Sequence, residues 1–367
     1  MPRIVWDMTF AYNSMTGTRV LARQLTTALR KLDVYEIVEV TARAGGDAQK
    51  TNRANGIGNV WWLGRELSRV LETEHAALLH VAAYLGPRRA PCPSIANIFD
   101  TTYLTYPNDF DWKWRAYAQV FIPNTIRRAS AVLTLSEHAK SEIARHYKLL
   151  PDKVNVVYPG VSGVFRRTAD AGTINAARDK FDLPENYLIF VGAQMPRKNI
   201  PALIQALGKL GEDPVNLTLV LVGPRERGSS EIQRVISELG LRARVRELGF
   251  VADADLAVLY QGARAFVYAS KLEGFGMPPV EAMACGTPVV CAPNPPMPEV
   301  LGDAAYFTQN DSPEALAEGI ARVLKDEALA QTLRARGIAR AQMYTWENAA
   351  RKTLAVYQQV LETRRAK

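Results

Sequence analysis

The segment Glu273-Gly-Phe-Gly-Met-Pro-Pro-Val-Glu281 places two carboxylates on either side of a glycine-rich turn. The apolar run before it, residues 265–269 (AFVYA), predicts a buried strand, and the paired prolines predict the first turn of a helix. Gly274 and Gly276 allow the backbone to approach a ligand closely and to adopt positive φ. A strand, a glycine loop and a helix start in this order bring free N–H groups to one point, which favours a phosphate or sugar hydroxyls.

Both glutamates are candidates for binding sugar hydroxyls. Glu273 lies in the predicted loop, and Glu281 lies in the first turn of a helix predicted from Val280 to Cys285. A carboxylate accepts charge-assisted hydrogen bonds, which are stronger than neutral ones. The alternative is that Glu281 only favours the helix dipole and that Glu273 is a solvated loop residue.

A second loop carries two adjacent cations. After the predicted strand 188–191 and Gly192, the string Pro196-Arg-Lys-Asn199 precedes a helix predicted from about Ile200 to Leu210. Cations before a helix start oppose its dipole unless an anion lies between them. Arg197 and Lys198 therefore predict a diphosphate site, with a solvated basic turn as the alternative.

Strand-like runs alternate with amphipathic helical stretches, which predicts parallel sheets covered by helices. The predicted strands are 4–8, 37–41, 77–81, 95–99, 131–135, 154–157, 188–191, 217–222, 245–248, 265–269 and 288–291. The loop 13–17 opens a helix predicted from Thr18 to Leu32, and the helix start at Gly17 suits a ligand. Two doubly wound α/β domains are expected, 1–162 and 163–345, followed by a helix over 346–367.

Together these strings resemble the E-x(7)-E signature of retaining glycosyltransferase family 4, which residues 273–290 (EGFGMPPVEAMACGTPVV) carry. Residues 248–251 (LGFV) resemble the family's segment beside the nucleobase, and residues 157–161 (VYPGV) its interdomain junction. The resemblance spans nearly the whole chain. It implies the GT-B fold, in which two Rossmann-like domains face each other across a cleft, the first on the acceptor side and the second binding the nucleotide sugar. It also implies that the last helix returns to the first domain.

The resemblance implies roles for individual residues. Glu273 and the amides near Phe275 would hold the donor sugar, Glu281 the ribose, and Arg197 with Lys198 the diphosphate. The other donor-site residues expected here are Gly17, Gly192, Phe250, Val251, Gly274 and Gly276. One departure is Ala193, where many members carry an arginine.

The expected chemistry is stabilisation of the negative charge that grows on the leaving diphosphate. Arg197, Lys198 and the helix starts after Gly192 and Gly276 are the candidate groups. The resemblance implies retention of stereochemistry by front-face attack, in which a leaving phosphate oxygen accepts the acceptor's proton.

The clearest departure from the family is at residues 97–100 (NIFD), because members commonly carry His-Asp where this chain has Phe99-Asp100. A phenyl ring neither transfers a proton nor accepts a hydrogen bond as imidazole does. Asp100 is therefore the candidate for orienting the acceptor or acting as base, with a turn residue as the alternative.

Composition limits the class of protein. A chain of 367 residues that is 48% hydrophobic and 22% charged has room for two soluble domains. The three cysteines lack metal-ligand spacing and favour a reducing, cytoplasmic setting. The start of the chain is too short and too charged for a signal peptide, and no apolar run reaches membrane-spanning length.

The net charge of +8 is concentrated as +6 in residues 1–162. This excess predicts contact with an anionic lipid leaflet, as a peripheral membrane protein, or with a negatively charged acceptor. Candidate contacts are the clusters Trp61, Trp62, Arg65, Arg69 and Trp112, Lys113, Trp114, Arg115, with ordinary core aromatics as the alternative. No motif predicts a nucleic-acid partner.

Two D-x-D strings, Asp109-Phe-Asp111 and Asp253-Ala-Asp255, have the pattern that binds a divalent metal in the other large glycosyltransferase architecture. Each precedes a helical run, which favours capping. We expect no metal and no cofactor beyond the co-substrate, a nucleotide-diphosphate sugar.

The expected function is retaining transfer of a hexose or deoxyhexose, of mannose or rhamnose type, to a lipid-linked or polysaccharide acceptor in lipopolysaccharide, O-antigen or exopolysaccharide synthesis. The Pro-Arg-Lys-Asn string favours a GDP-linked donor, since it is common among members that use GDP-mannose or related deoxyhexoses. The alternatives are a sugar-nucleotide epimerase or phosphorylase of the same fold, and a non-catalytic sugar-nucleotide-binding partner. A dinucleotide dehydrogenase is disfavoured because no G-x-G-x-x-G follows a strand.

Overall fold

A computed structural model describes residues 1–12, 17–42, 61–211 and 217–365. The chain divides into two compact units: unit 1 is Met1–Gly160 with Thr345–Lys367, and unit 2 is Val161–Tyr344. The division falls two residues before the predicted boundary after residue 162, within the segment 157–161.

Unit 1 is built on a six-stranded parallel sheet with the order β2-β1-β3-β4-β5-β6. The strands are β1 Arg3–Asp7, β2 Glu36–Val40, β3 Ala76–Val81, β4 Ser94–Asn97, β5 Ala131–Thr134 and β6 Val154–Val156. Each lies within two residues of its predicted range. The central strands are largely buried because helices cover both faces of a parallel sheet, and most of their residues are apolar.

The helices of unit 1 follow the predicted amphipathic pattern. They are α1 Thr9–Tyr12, α2 Gly17–Lys31, α3 Leu67–Thr73 after a π-helical turn at Trp62–Glu66, α4 Thr102–Thr105, α5 Trp112–Arg128, α6 Glu137–Tyr147 and the final helix Trp346–Arg365. Leu21, Leu25 and Leu29 of α2 are buried at i, i+4 spacing, as an amphipathic helix requires. The final helix packs in the same core through Val356 and Tyr357.

His80 ties the final helix to the sheet of unit 1. Its Nδ1 lies 2.6 Å from the Tyr357 hydroxyl and its Nε2 lies 3.0 Å from Oδ1 of Asn97, while Trp6 stacks on the ring. Burial lowers the pKa of His80 to about 3, against a smaller raising effect of Asn97. The imidazole is therefore neutral and structural.

Unit 2 has a second six-stranded parallel sheet, in the order β12-β11-β10-β7-β8-β9. Its strands are β7 Tyr187–Val191, β8 Thr218–Val222, β9 Val245–Gly249, β10 Ala265–Tyr268, β11 Val289–Cys291 and β12 Tyr306–Phe307. Strand β12 was not predicted, because two residues are too few to show a periodic pattern. The order has the doubly wound form, with a switch point between β7 and β10 where ligands of such sheets bind.

The helices of unit 2 cover both faces of its sheet. They are α7 Ala171–Lys180, α8 Ile200–Lys209, α9 Ser229–Glu238, α10 Asp253–Gly262, α11 Met277–Ala284, α12 Met297–Leu301, α13 Pro313–Lys325 and α14 Glu327–Ala341. Helix α11 begins at Met277, three residues before the predicted start. Glu281 therefore lies in its second turn, not in its first.

The D-x-D strings divide between two uses. Asp111 caps α5 by accepting from the Lys113 backbone N–H over 2.8 Å, as predicted. The capping prediction is wrong for the other pair, because Asp253 and Asp255 lie inside the first turn of α10, and Asp255 pairs with Lys180 at 2.8 Å. Within the described ranges, no three His, Cys, Asp or Glu side chains gather as a metal site.

Hydropathy along the helices bears on membrane insertion. None of the helices in the described part of the chain combines the length and the apolar character needed to cross a bilayer.

Candidate functional site

The candidate site of unit 2 lies where β7 and β10 end. These strands are hydrogen-bonded neighbours, with Leu188 opposite Ala265, and they run in the same direction. Strand β7 leads into a 3-10 turn at Pro196–Lys198, and β10 leads into the loop that carries Glu273. The two loops that the sequence predicted to bind a ligand therefore meet at the switch point of the sheet.

Glu273 is the centre of this site. Its side chain is 10% exposed, and Oε1 lies 2.5 Å from Nζ of Lys198 while Oε2 lies 3.1 Å from Nη1 of Arg197. The hydroxyls of Tyr268, over 2.8 Å, and Ser270 also donate to Oε1. The alternative of a solvated loop residue is wrong, since the carboxylate is buried among four donors.

Two opposed effects set the charge of Glu273. Burial raises the pKa of the carboxyl. The charges of Lys198 and Arg197, with the hydrogen bonds from Lys198 and Ser270, outweigh this effect and lower the pKa to about 2. Glu273 is therefore a fixed anion at neutral pH that holds two cations beside it.

The two cations are positioned by more than this ion pair. Lys198 is 8% exposed and its Nζ also donates to the Tyr268 hydroxyl over 3.1 Å, while Nη1 of Arg197 donates to the carbonyl of Leu272 over 3.1 Å. The alternative of a solvated basic turn is wrong for Lys198. The arrangement keeps an ammonium and a guanidinium together at the end of β7, which is the chemistry that binds a diphosphate.

Glu281 occupies a different environment. Burial raises the pKa of its carboxyl to about 7, the Tyr260 hydroxyl at 3.2 Å lowers it in part, and the charge of Asp253 raises it. Phe266 lies between Tyr260 and Tyr268, with ring centroids 5.9 and 5.6 Å away. Tyrosines at the two ends of this aromatic row thus hold the two signature glutamates.

Only some of the glycines of the site adopt the backbone conformation that the sequence predicted. Gly276 has φ of 89° at the start of α11, and a Cβ there would lie 2.5 Å from Cε of Met297. Gly192 has φ of 153°, and a Cβ there would lie 3.7 Å from Cε of Lys198. The expectation of positive φ is wrong for Gly274, because of the two loop glycines only Gly276 has it.

The remaining residues that were predicted to bind the nucleotide sugar differ in their surroundings. Phe250, just after β9, is 86% exposed, whereas the neighbouring Val251 is 6% exposed. Phe275 is 2% exposed and packs edge-on against Tyr344, so only its backbone is left for a ligand. Gly17 is the first residue of α2, and the rest of the predicted loop, residues 13–16, lies outside the described residues.

Asp100 lies three residues after the end of β4 in unit 1. Its Oδ1 accepts from the Thr102 backbone N–H over 3.0 Å, from the Thr102 hydroxyl over 2.7 Å and from the Tyr84 hydroxyl over 3.4 Å. These bonds are those of a turn residue, and the side chain is still partly exposed. The neighbouring Phe99 is 6% exposed and packs with Leu21 and Ala83.

Several polar residues near the carboxyl ends of the strands were not predicted from the sequence. Tyr268 and Ser270 end and follow an apolar strand, and Tyr260 belongs to a helix, so nothing in their spacing marked them as glutamate partners. Asp7, at the end of β1, is 2% exposed and accepts from Thr9 and Trp62. Burial raises the pKa of Asp7 to about 6, against these hydrogen bonds. An aspartate at the end of an otherwise apolar strand is the pattern that could have identified it.

Each aromatic and basic cluster of unit 1 contains a core residue and an exposed one. Trp62 is 4% exposed and Trp114 packs in the core, whereas Trp61 and Trp112 are 54% and 68% exposed. Arg65 lies over the Trp61 ring at 6.0 Å, and Lys113 lies over the Trp112 ring at 5.6 Å. Membrane contact through these residues stays a prediction.

Comparison with known proteins agrees with this architecture. A family model described as "Glycosyltransferase Family 4" matches residues 15–162, and one described as "Glycosyl transferases group 1" matches residues 173–340. The chain is similar to O-antigen chain mannosyltransferase B of Escherichia coli, with 31% identity over 72% of this chain and 70% of the relative. It is similar to O-antigen chain mannosyltransferase RfbU of Salmonella typhimurium, with 31% identity over 62% of this chain and 59% of that protein. Sucrose-phosphate synthase from Thermosynechococcus elongatus has the same fold, with a TM-score of 0.77 at 19% identity over 99% of this chain and 100% of that one.

Proposed function

Because the chain belongs to family 4 of the glycosyltransferases and has their GT-B fold, we propose that it transfers mannose from GDP-mannose to a glycan acceptor, with retention of stereochemistry. The acceptor is a lipid-linked or polysaccharide chain of lipopolysaccharide, O-antigen or exopolysaccharide synthesis. The observation that carries the proposal is the ion-paired group of buried Glu273 and Lys198 with partly buried Arg197 at the switch point of unit 2. The names of two relatives, both O-antigen mannosyltransferases, support the choice of sugar and acceptor.

In this proposal Arg197 and Lys198 bind the donor diphosphate and stabilise its charge as it leaves. Glu273 keeps both cations in place through its ion pairs. It also accepts hydrogen bonds from hydroxyls of the donor sugar. Glu281 accepts from the ribose hydroxyls, while Phe250 and Val251 lie beside the base. The reaction needs no metal, since the two cations supply the positive charge that a metal would bring.

Binding and transfer with a panel of donors test this proposal. GDP, UDP and dTDP sugars are compared by the rise in melting temperature, since a ligand that binds only the folded protein stabilises it by mass action. GDP-mannose is expected to give the largest rise and to support transfer to a mannoside acceptor in the presence of EDTA. A clear preference for UDP sugars would overturn the donor, and activity that returns only with Mn²⁺ would overturn metal independence.

Two further results of this panel separate the alternative functions. Conversion of the donor in the absence of any acceptor would favour an epimerase, and binding without turnover across all acceptors would favour a non-catalytic partner.

Glu281→Gln is expected to reduce the rise in melting temperature for every ribonucleotide sugar, because an amide accepts a weaker hydrogen bond than a carboxylate. An unchanged rise would remove Glu281 from the ribose site.

Asp100→Asn is expected to lower turnover at least tenfold while donor affinity is retained. The amide keeps the shape and the turn, but it can no longer accept a proton or hold an acceptor hydroxyl through charge. Steady-state rates measure turnover and the melting-temperature rise with donor measures binding. Asp152→Asn, at an exposed position of unit 1, is the control. Wild-type turnover in Asp100→Asn would remove Asp100 from the mechanism.

A further inference from the structure

Tyr84 lies at the carboxyl edge of the unit 1 sheet, three residues after β3 ends at Val81. Its backbone N–H donates over 2.9 Å to the carbonyl of Asn97, the last residue of the neighbouring strand β4. Because β3 and β4 are adjacent and parallel, this bond fixes Tyr84 beside Asp100, which follows β4.

The backbone of Tyr84 is held in an unfavourable conformation. Its φ of 49° lies in the left-handed region, which bulky residues seldom adopt because the side chain crowds the backbone. Glycine or asparagine adopts this region at a lower cost. Conformations of this kind persist where the surrounding structure imposes them, and they cluster at active sites and ligand-binding sites, so Tyr84 is a candidate for a role of its ring or its hydroxyl.

The side chain of Tyr84 presents both an aromatic ring and a hydroxyl at this edge. The hydroxyl donates to Oδ1 of Asp100 over 3.4 Å. The ring meets Phe99 at right angles with centroids 5.4 Å apart, and it meets Tyr103 at 6.4 Å. Phe99 itself is packed among apolar side chains and offers no hydrogen bond. Tyr84 is partly exposed and therefore accessible to a ligand at the edge.

We propose that Tyr84 binds the acceptor sugar, an inference that rests on the proposed transfer reaction. Its hydroxyl and the Asp100 carboxylate hold neighbouring hydroxyls of one pyranose, and the apolar C–H face of that sugar packs against the ring. A phenol both donates and accepts, whereas a carboxylate only accepts, so the pair matches sugar hydroxyls that do both. A tyrosine offers apolar area and a polar tip with few rotatable bonds.

The test measures steady-state kinetics with GDP-mannose as donor and octyl α-mannoside as acceptor. Tyr84→Phe is expected to raise the acceptor KM about tenfold, because the sugar loses its hydrogen bond to the hydroxyl beside the Asp100 carboxylate while the ring is kept. Tyr84→Ala is expected to raise it about a hundredfold, since the apolar contact is lost as well. The donor KM should stay within about twofold in both variants. Tyr35→Phe, in the same unit but against the final helix, is the control and should keep both constants.

The outcomes separate this inference from the proposed function. If the wild-type protein transfers mannose and Tyr84→Phe keeps the wild-type acceptor KM, the role of Tyr84 is overturned while the function stands. Equal losses for donor and acceptor, or a lowered melting temperature in Tyr84→Phe, would show that the residue only supports the fold. If the wild-type protein transfers to no mannoside, the proposed function fails and the acceptor role falls with it. Tyr84→Phe decides the question even if Tyr84→Ala does not fold.

Discussion

Glu273→Gln is expected to lower the free energy of unfolding at pH 7 by about 3–5 kcal/mol, the cost of removing one partner from a buried ion pair. The variant leaves the ammonium of buried Lys198 and the guanidinium of Arg197 beside an amide that neutralises neither. Urea denaturation followed by fluorescence measures the change. Glu314→Gln is the matched control, because Glu314 pairs with Lys209 at 2.8 Å on the surface, where an ion pair contributes about 1 kcal/mol or less.

The pH dependence of this difference has a defined sign. The pKa of Glu273 is lowered from its usual 4.5 to about 2 in the folded protein, so its ionised form is favoured by folding. That contribution, about 3 kcal/mol, is complete above pH 4.5 and is lost as the pH falls toward 2. The gap in stability between the wild type and Glu273→Gln should therefore narrow below pH 4.5. A gap that is absent at pH 7, or that is constant down to pH 3, would contradict the role of the ion pair.

The sequence predicted the position of this site but not its internal contacts. Residues 265–269 and 188–191 have the apolar, branched and aromatic composition of buried strands, so the loops that follow them could be placed at strand ends. The contact between Lys198 and Glu273 depends on β7 lying beside β10, and that strand order is a property of the whole sheet. For the same reason the hydroxyls of Tyr268 and Ser270 gave no pattern that pointed to a carboxylate.

The edge of unit 1 shows a second limit. Asp100 could be named as a candidate from its place after a predicted strand and from the departure at Phe99. Tyr84 could not, because a left-handed tyrosine is an exception to the conformations that residue type predicts, and it follows from the surrounding strands rather than from local sequence. The helix start at Met277 was misplaced because Pro278 and Pro279 are both compatible with several positions in a first turn.

Lys198→Met is expected to lower kcat/KM for transfer by about 10²- to 10³-fold, the effect of removing one preorganised group that stabilises charge in the transition state. Lys198 packs against Gly192 at the end of β7, since its Cε would lie only 3.7 Å from a Cβ on that glycine. Methionine has a similar length and fills the same space without a charge. Lys209→Met, on the surface of α8, is the matched control and should keep the wild-type rate.

The double variant Lys198→Met, Glu273→Gln separates chemistry from folding. When Lys198 and Glu273 are both neutral, the only charge of the three that remains is that of Arg197, which is partly exposed. The double variant should therefore be more stable than the sum of the two single changes predicts. Its transfer rate should nevertheless be no higher than that of Lys198→Met, because stability returns without the ammonium. Recovery of activity together with stability would show that Lys198 acts only through the fold, and it would remove this lysine from the diphosphate site.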